Sequence, residues 1–265
     1  MDTILAVFGE IGKEARKAIS LEKGGKEIVG KNPLGQKSLA MDTILEDLAI
    51  EILKKNKIGK ILVTEEKGDV LLDESASGVL ALDPLDGSDN YSKNIPVYCL
   101  GIAYSIDGFS GGITHSYVIN LVSGDEFWAI KGKGAFMNGG KIRTSEQDDL
   151  SKSRMAIDYN NVMGKFSEAL PLVEQIKDIR RMGPDILDMC YVANGGYEGF
   201  IDTRNRLSVI HICGAKIAEE AGAVVSDSRG NPINVKLSIN SYLNIVCCAN
   251  KCIYEKVMKL IRCTV

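Results

Sequence analysis

Along residues 2–20, Ile4, Leu5, Val7, Phe8, Ile11, Ala15, Ala18 and Ile19 recur with the period of an amphipathic helix, charged positions lying opposite. Gly24-Gly25 closes that pattern, and the polar stretch 26–37, with Gly30, Pro33 and Gly35, predicts a mobile loop. Ser38 stands where an N-cap is expected, ahead of a second apolar face made by Met41, Ile44, Leu45, Leu48, Ala49, Ile52 and Leu53. Two short apolar runs, Lys60–Thr64 and Val79–Leu82, read as buried strands, and both run directly into acids. Alternating segments near 97–106, 112–119 and 125–131 predict more strands, and Asn138-Gly139 a tight hairpin turn. From residue 154 strands and helices alternate: strands near 154–158, 178–182, 197–202 and 243–249, helices near 164–177, 184–194, 208–221 and from 251. That alternation predicts an α/β class with layered packing. A polar stretch at 144–152 marks a soft boundary, so 1–265 reads as one domain with halves of about 1–147 and 148–265.

Chemistry concentrates where the two strands meet their acids. Leu82 leads into Asp83-Pro84-Leu85-Asp86-Gly87-Ser88-Asp89-Asn90. Pro84 fixes its own φ and lacks an amide, so the ladder is expected to stop and the chain to turn there. Gly87 permits a positive φ or a close backbone approach. Taken alone, Asp83 and Asp86 describe an acidic surface turn. Glu65-Glu66, at the end of the other strand, changes that reading. Three or more carboxylates delivered to one place repel one another, and the pattern therefore predicts a divalent cation, with the amides after Gly87 receiving an anion.

Leu82–Asn90, with Thr64-Glu65-Glu66 upstream, resembles the signature of the magnesium-dependent, lithium-sensitive phosphatases: inositol monophosphatases, fructose bisphosphatases and bisphosphate nucleotidases. The motif leans toward the fructose bisphosphatase spelling and the length toward inositol monophosphatases, as in archaeal enzymes that combine both activities. The resemblance implies five layers, α-β-α-β-α, with the active site in the cleft between the halves. It implies a phosphomonoesterase acting through metal-activated water on a small sugar or inositol phosphate, inositol-1-phosphate or fructose-1,6-bisphosphate. The implied cofactor is Mg²⁺, with Mn²⁺ as the alternative, and the implied assembly is a homodimer or homotetramer. Glu65, Asp83, Asp86 and the backbone carbonyl of Leu85 would hold the metal. Asp42 and Ser88 would form the acid–hydroxyl pair that orients and deprotonates the water, and the Gly87 and Ser88 amides would receive the phosphate. Asp202 and Arg204, in Phe200-Ile-Asp-Thr-Arg204, match the sugar-pocket segment, although a surface ion pair after a strand gives the same pattern. Arg180-Arg181, before Gly183-Pro184, reads either as another anion contact or as a helix start.

The chain also departs from the pattern of the family it resembles. The last metal-binding acid begins the helix before an Ala-Gly pair; counting back from Glu220-Ala221-Gly222 reaches Ile210, and a one-residue gap reaches His211. Imidazole suits Zn²⁺ or Mn²⁺ better than Mg²⁺. Gln36 and Lys37 stand where archaeal relatives carry acids, and Asp89 is an extra carboxylate beside the motif. Three readings stay open: a phosphomonoesterase with altered metal demand, a noncatalytic phosphate-binding relative, and a nucleotidase or NADP phosphatase.

Composition narrows the partners. A net charge of −3 without any basic block gives no footprint for nucleic acid. No apolar run approaches the ~20 residues of a bilayer span, and Met-Asp-Thr-Ile-Leu lacks the features of a signal peptide. The seven cysteines are scattered, which predicts reduced, mostly buried thiols in a cytoplasmic protein. Cys247 and Cys248, adjacent on a strand, should face opposite sides.

Overall fold

The computed structural model describes residues 2–21, 25–33, 35, 37–159 and 169–262. Helices α1 (Thr3–Leu21) and α2 (Ala40–Asn56) carry the two apolar faces read from the sequence. Between them, β1 (Ile28–Lys31) and β2 (Lys37–Leu39) pair antiparallel, so much of the expected loop is a hairpin. Ser38 belongs to β2, and the residue capping α2 is Leu39 rather than Ser38. Gln36 lies outside the described residues.

The larger sheet contains β3 (Ile61–Thr64), β4 (Gly68–Leu71), β5 (Val79–Asp86), β6 (Cys99–Ser105), β7 (Ile113–Asn120), β8 (Glu126–Ile130), β9 (Gly134–Met137) and β10 (Gly140–Ile142). Its order is β10-β9-β8-β7-β6-β5-β3-β4, antiparallel throughout except for the parallel pair β3–β5. Helix α3 (Ser88–Ser92) follows β5. Asn138 and Gly139 both have positive φ and turn β9 into β10, as a two-residue hairpin requires. The smaller sheet runs β12 (Asp178–Arg180), β11 (Arg154–Ile157), β13 (Gly199–Ser208), β15 (Tyr242–Cys248), β14 (Val224–Ser226). Its helices are α4 (Leu170–Val173), α5 (Asp185–Ala193), α6 (Ile212–Ala221) and α7 (Lys251–Arg262). The helix expected over 164–177 falls partly on residues outside those described; within them α4 ends at Val173, and 174–177 is turn rather than helix.

Three apolar clusters define the layering. Val7, Phe8, Ile11 and Leu45 of α1 and α2 pack on Leu80, Leu82, Leu100 and Ile102 of the larger sheet. That sheet's other face gives Ala81, Ala103 and Phe127 to a second cluster with Ile186 and Met189 of α5, Ile217 of α6, and Phe200 and Cys247 of the smaller sheet. Beyond the smaller sheet, Ile201, Val246 and Cys248 meet Leu172 of α4 and Ile253 and Val257 of α7. The order is therefore α-β-α-β-α. Cys247 and Cys248 fall in different clusters, on opposite faces of β15. Phe136 stacks on Trp128 at 4.0 Å, and His115 contacts Thr114 and Asp2, so neither Trp128 nor His115 joins the acidic site. Among the described residues no helix is long and apolar enough to cross a membrane.

Candidate active site

β5 does not stop at Leu82. It continues through Pro84 to Asp86, with Asp83 opposite Gly101 and Asp86 opposite Cys99. Pro84 and Leu85 thus face a single residue of β6: the missing proline amide is accommodated by a bulge rather than by a chain turn. The bulge aims two carboxylates. Asp83 Oδ1 accepts the Leu85 amide (2.9 Å), and its Oδ2 lies 2.9 Å from His211 Nε2. Asp86 Oδ2 accepts the Ile186 amide at the start of α5 (2.8 Å). Gly87 follows at φ 91°, and a Cβ there would stand 2.8 Å from Pro184 Cγ and 3.0 Å from the Val97 carbonyl. Only glycine lets the motif pass this close to the α5 start.

Glu65 and Glu66 extend from β3, beside β5. Asn32 Nδ2 donates to Glu65 Oε1 (3.3 Å), so the β1–β2 hairpin presents a neutral amide to the acids. Asp42 is buried in the first turn of α2, where its Oδ2 accepts the Leu39 amide (2.9 Å). Burial pushes the Asp42 carboxyl up to about 7 despite that hydrogen bond, with Glu66, Asp83 and Glu46 adding repulsion. Burial, then the Asp83 charge, raise Glu65 above the ordinary carboxylate range; burial likewise raises Asp86. For His211 burial works downward, but Asp86 and the hydrogen-bonded Asp83 more than reverse it and favour the cationic form. These carboxyls depart from their ordinary values chiefly because burial penalises their charged forms, and the neighbouring acids add to that shift.

The structure separates Ile210 from His211. Ile210 is fully buried in the core between the sheets, so counting back from Ala221-Gly222 points to the wrong residue. His211 ends the 3₁₀ turn before α6, and ligand atoms of His211, Asp83 and Asp86 lie within 4.8 Å of one another. Two carboxylates and an imidazole converging at that spacing suit a divalent cation. Asp89 is turned outward and pairs with Lys93 at 2.7 Å.

A second group of charges lies behind this cluster. β13 departs from its pairing with β15 between Asp202 and Leu207, and Asn205 there has φ 57°. That excursion folds Arg204 back onto Asp202, with Nε–Oδ1 2.9 Å and Nη2–Oδ2 2.6 Å, and onto Asp158 at 2.6 Å. Arg204 is thus a member of a buried ion network; the surface-pair reading does not hold. Arg181 joins Asp158 (2.9 Å) to Asp185 (3.2 Å). Asp158, Asp185 and Asp188 were not singled out from the sequence. Asp185 and Asp188 look like ordinary first-turn acids of α5, favoured by the helix dipole, and nothing local reveals the tertiary partners.

The fold and site define a layered α/β protein with a carboxylate cluster at a strand bulge able to hold a metal ion. The sequence profile of the inositol monophosphatase family matches residues 3–265, and the chain belongs to that family. It is 34% identical to the fructose-1,6-bisphosphatase/inositol-1-monophosphatase of Archaeoglobus fulgidus, over 97% of this chain and 98% of the relative. It is 29% identical to the bifunctional NADP phosphatase/NAD kinase of Methanocaldococcus jannaschii, over 97% of this chain and 49% of that protein. A crystal structure described as an inositol monophosphatase–fructose 1,6-bisphosphatase superposes with TM-score 0.83 at 26% identity, covering 96% of this chain and 98% of the other.

Proposed function

We propose that the chain is a metal-dependent phosphomonoesterase that hydrolyses a small sugar or inositol phosphate, with inositol-1-phosphate and fructose-1,6-bisphosphate as the first substrates to try. The observation that carries this reading is the convergence of Asp83, Asp86 and His211 at one end of β5, in a chain similar along nearly its whole length to a fructose-1,6-bisphosphatase/inositol-1-monophosphatase.

In this reading Glu65, Asp83, Asp86, the Leu85 carbonyl and His211 hold a divalent cation, Mg²⁺ or Mn²⁺. Such a cation neutralises phosphate charge and makes water a stronger acid. The protein's own groups do the rest. Asp42 Oδ2 is engaged by the Leu39 amide, which leaves Oδ1 to take the proton of the attacking water. A carboxyl raised to about 7 is matched to that task near neutral pH. The Ser88 hydroxyl orients the same water, and the Gly87 and Ser88 amides receive phosphate oxygens. Asp202 and Arg204 are assigned to the substrate side of the site, where the buried network they form with Asp158 holds them in place.

The test is phosphate release from inositol-1-phosphate, fructose-1,6-bisphosphate, adenosine bisphosphate and NADP, each with Mg²⁺, Mn²⁺ or EDTA. Metal-dependent release from either of the first two is the expected result. Turnover of NADP alone would favour the second reading, motivated by the similarity to the NADP phosphatase/NAD kinase. No release from any of the four would leave a noncatalytic phosphate-binding protein.

A further inference from the structure

His211 presents its two ring nitrogens to different surroundings. Nε2 faces the acid cluster, 2.9 Å from Asp83 Oδ2. Nδ1 is buried and without a hydrogen-bond partner among the described residues, and Asp185 Oδ2 lies 3.9 Å from it. Asp185 is itself fixed. It opens α5, its Oδ1 forms an ion pair with Arg181 Nη1 at 3.2 Å without hydrogen-bond geometry, and the next residue's amide is bonded to Asp86. The helix that carries Asp185 is therefore tied to the strand that carries the cluster.

A neutral imidazole has one N–H and one lone pair. If Nε2 turns its lone pair toward a cation, Nδ1 carries the proton, and in a buried setting that N–H requires an acceptor. Asp185 Oδ2 stands on that side of the ring. The 3.9 Å separation is that of an ion pair rather than a hydrogen bond. Arg181 and Arg204 already bridge the neighbouring carboxylates of Asp158 and Asp202, so this second acid group has its cations and Asp185 alone reaches toward His211.

We propose that Asp185 is a positioning residue: it accepts the Nδ1 proton of His211, fixes the tautomer whose Nε2 joins Asp83 and Asp86 as a ligand, and so turns the site's preference from Mg²⁺ toward Mn²⁺. This rests on the reading of the site as a metal centre. The physical basis is twofold. An imidazole nitrogen raises affinity for borderline cations more than for Mg²⁺, and a carboxylate behind a ligating histidine orients the ring and increases its basicity.

The test loads the whole protein with Mn²⁺ or Mg²⁺, measures affinity by calorimetry, and reads the Mn²⁺ coordination shell by electron spin-echo envelope modulation. Wild-type protein should bind Mn²⁺ more tightly than Mg²⁺ and show modulation from a directly bound nitrogen. Asp185→Ala should weaken Mn²⁺ binding by about 10–100-fold, and Asp185→Asn, which keeps an acceptor, should fall between it and wild type. His211→Asp should abolish the nitrogen signal and restore Mg²⁺ preference, and adding Asp185→Ala to it should cause no further weakening. Equal losses from Asp185→Ala with and without His211 would reduce Asp185 to a structural role and overturn the proposal. So would Mn²⁺ bound by wild-type protein without nitrogen modulation, a result that needs no variant to fold and leaves the metal centre standing. Failure of wild-type protein to bind either ion would overturn the metal centre itself and this inference with it.

Discussion

Glu65 and Gly87 make opposite kinds of contribution. Glu65 stands beyond β3 next to β5, and the proposed function makes it one of the metal ligands. Glu65→Gln keeps the shape and removes the charge, and we expect phosphate release to fall by roughly 100-fold or more, measured at saturating metal. Activity within a few-fold of wild type would mean that Glu65 is not a ligand. Gly87 contributes by what it lacks. Gly87→Ala puts a methyl group against Pro184 and the Val97 carbonyl at a φ of 91°. A loss of about 1–3 kcal/mol in urea unfolding is expected, and no loss would show that this close approach relaxes freely. At this scale legibility followed contiguity. Glu65, Asp83 and Asp86 stand out in the sequence because they lie just beyond two apolar runs, Glu65 after β3 and the two aspartates after Val79–Leu82, within β5. Asp185 was not, since its partners His211 and Arg181 meet it through tertiary packing and the fixed start of α5. His211 was ambiguous by one residue, and only the burial of Ile210 separates the two.

Two irregular strands position the elements around the site. At Pro84-Leu85 the β5 bulge aims Asp83 and Asp86, and the excursion of β13 after Asp202 returns Arg204 to the interior. Proline in a strand signals a departure from the ladder, but the residues alone do not distinguish a bulge from a turn, and the turn was the wrong choice. The β1–β2 hairpin was missed for a related reason: its strands are short and β1 is exposed throughout, so no apolar alternation marks it. Helices α1 and α2 were legible because each buries one continuous apolar stripe. Close packing of α5 and α6 depends on Gly101, opposite Asp83 on β6. A Cβ there would come within 2.7 Å of both Ile186 Cδ1 and Cys213 Sγ. Gly101→Val should destabilise the fold by about 1–3 kcal/mol in thermal or urea unfolding. It should also weaken metal binding, because the same shift moves Asp185 and His211 away from β5; unchanged affinity in the folded variant would uncouple the packing from the site.

For the whole molecule, the layering places the acid cluster between two sheets, where burial makes its charge expensive. The pH dependence follows with a definite sign. Asp42 binds its proton up to about pH 7 in the folded chain, against about 4 for an ordinary carboxyl. Its contribution to stability is thus present below about pH 4 and is lost as pH rises through about 7, on the order of 4 kcal/mol. Glu65, Asp86 and Asp185 are shifted in the same direction by burial, and raised His211 acts with the same sign. Asp107 and Asp125 are held below the usual range by hydrogen bonds from the Phe109 amide and Ser123, and act oppositely only below about pH 4. Chelated protein should therefore lose about 10 °C in Tm between pH 5 and 8. Added Mn²⁺ should raise Tm at pH 8 far more than at pH 5, where protons compete for the carboxylates. A Tm that is flat or rising with pH in the chelated protein would show that the cluster is not strained by its own charge.

The most direct measurement is anomalous scattering from crystals soaked in manganese. The account predicts a peak bounded by Glu65, Asp83, Asp86 and His211, with occupancy reduced in Glu65→Gln. A fully soaked wild-type crystal with no peak among those four side chains would contradict it.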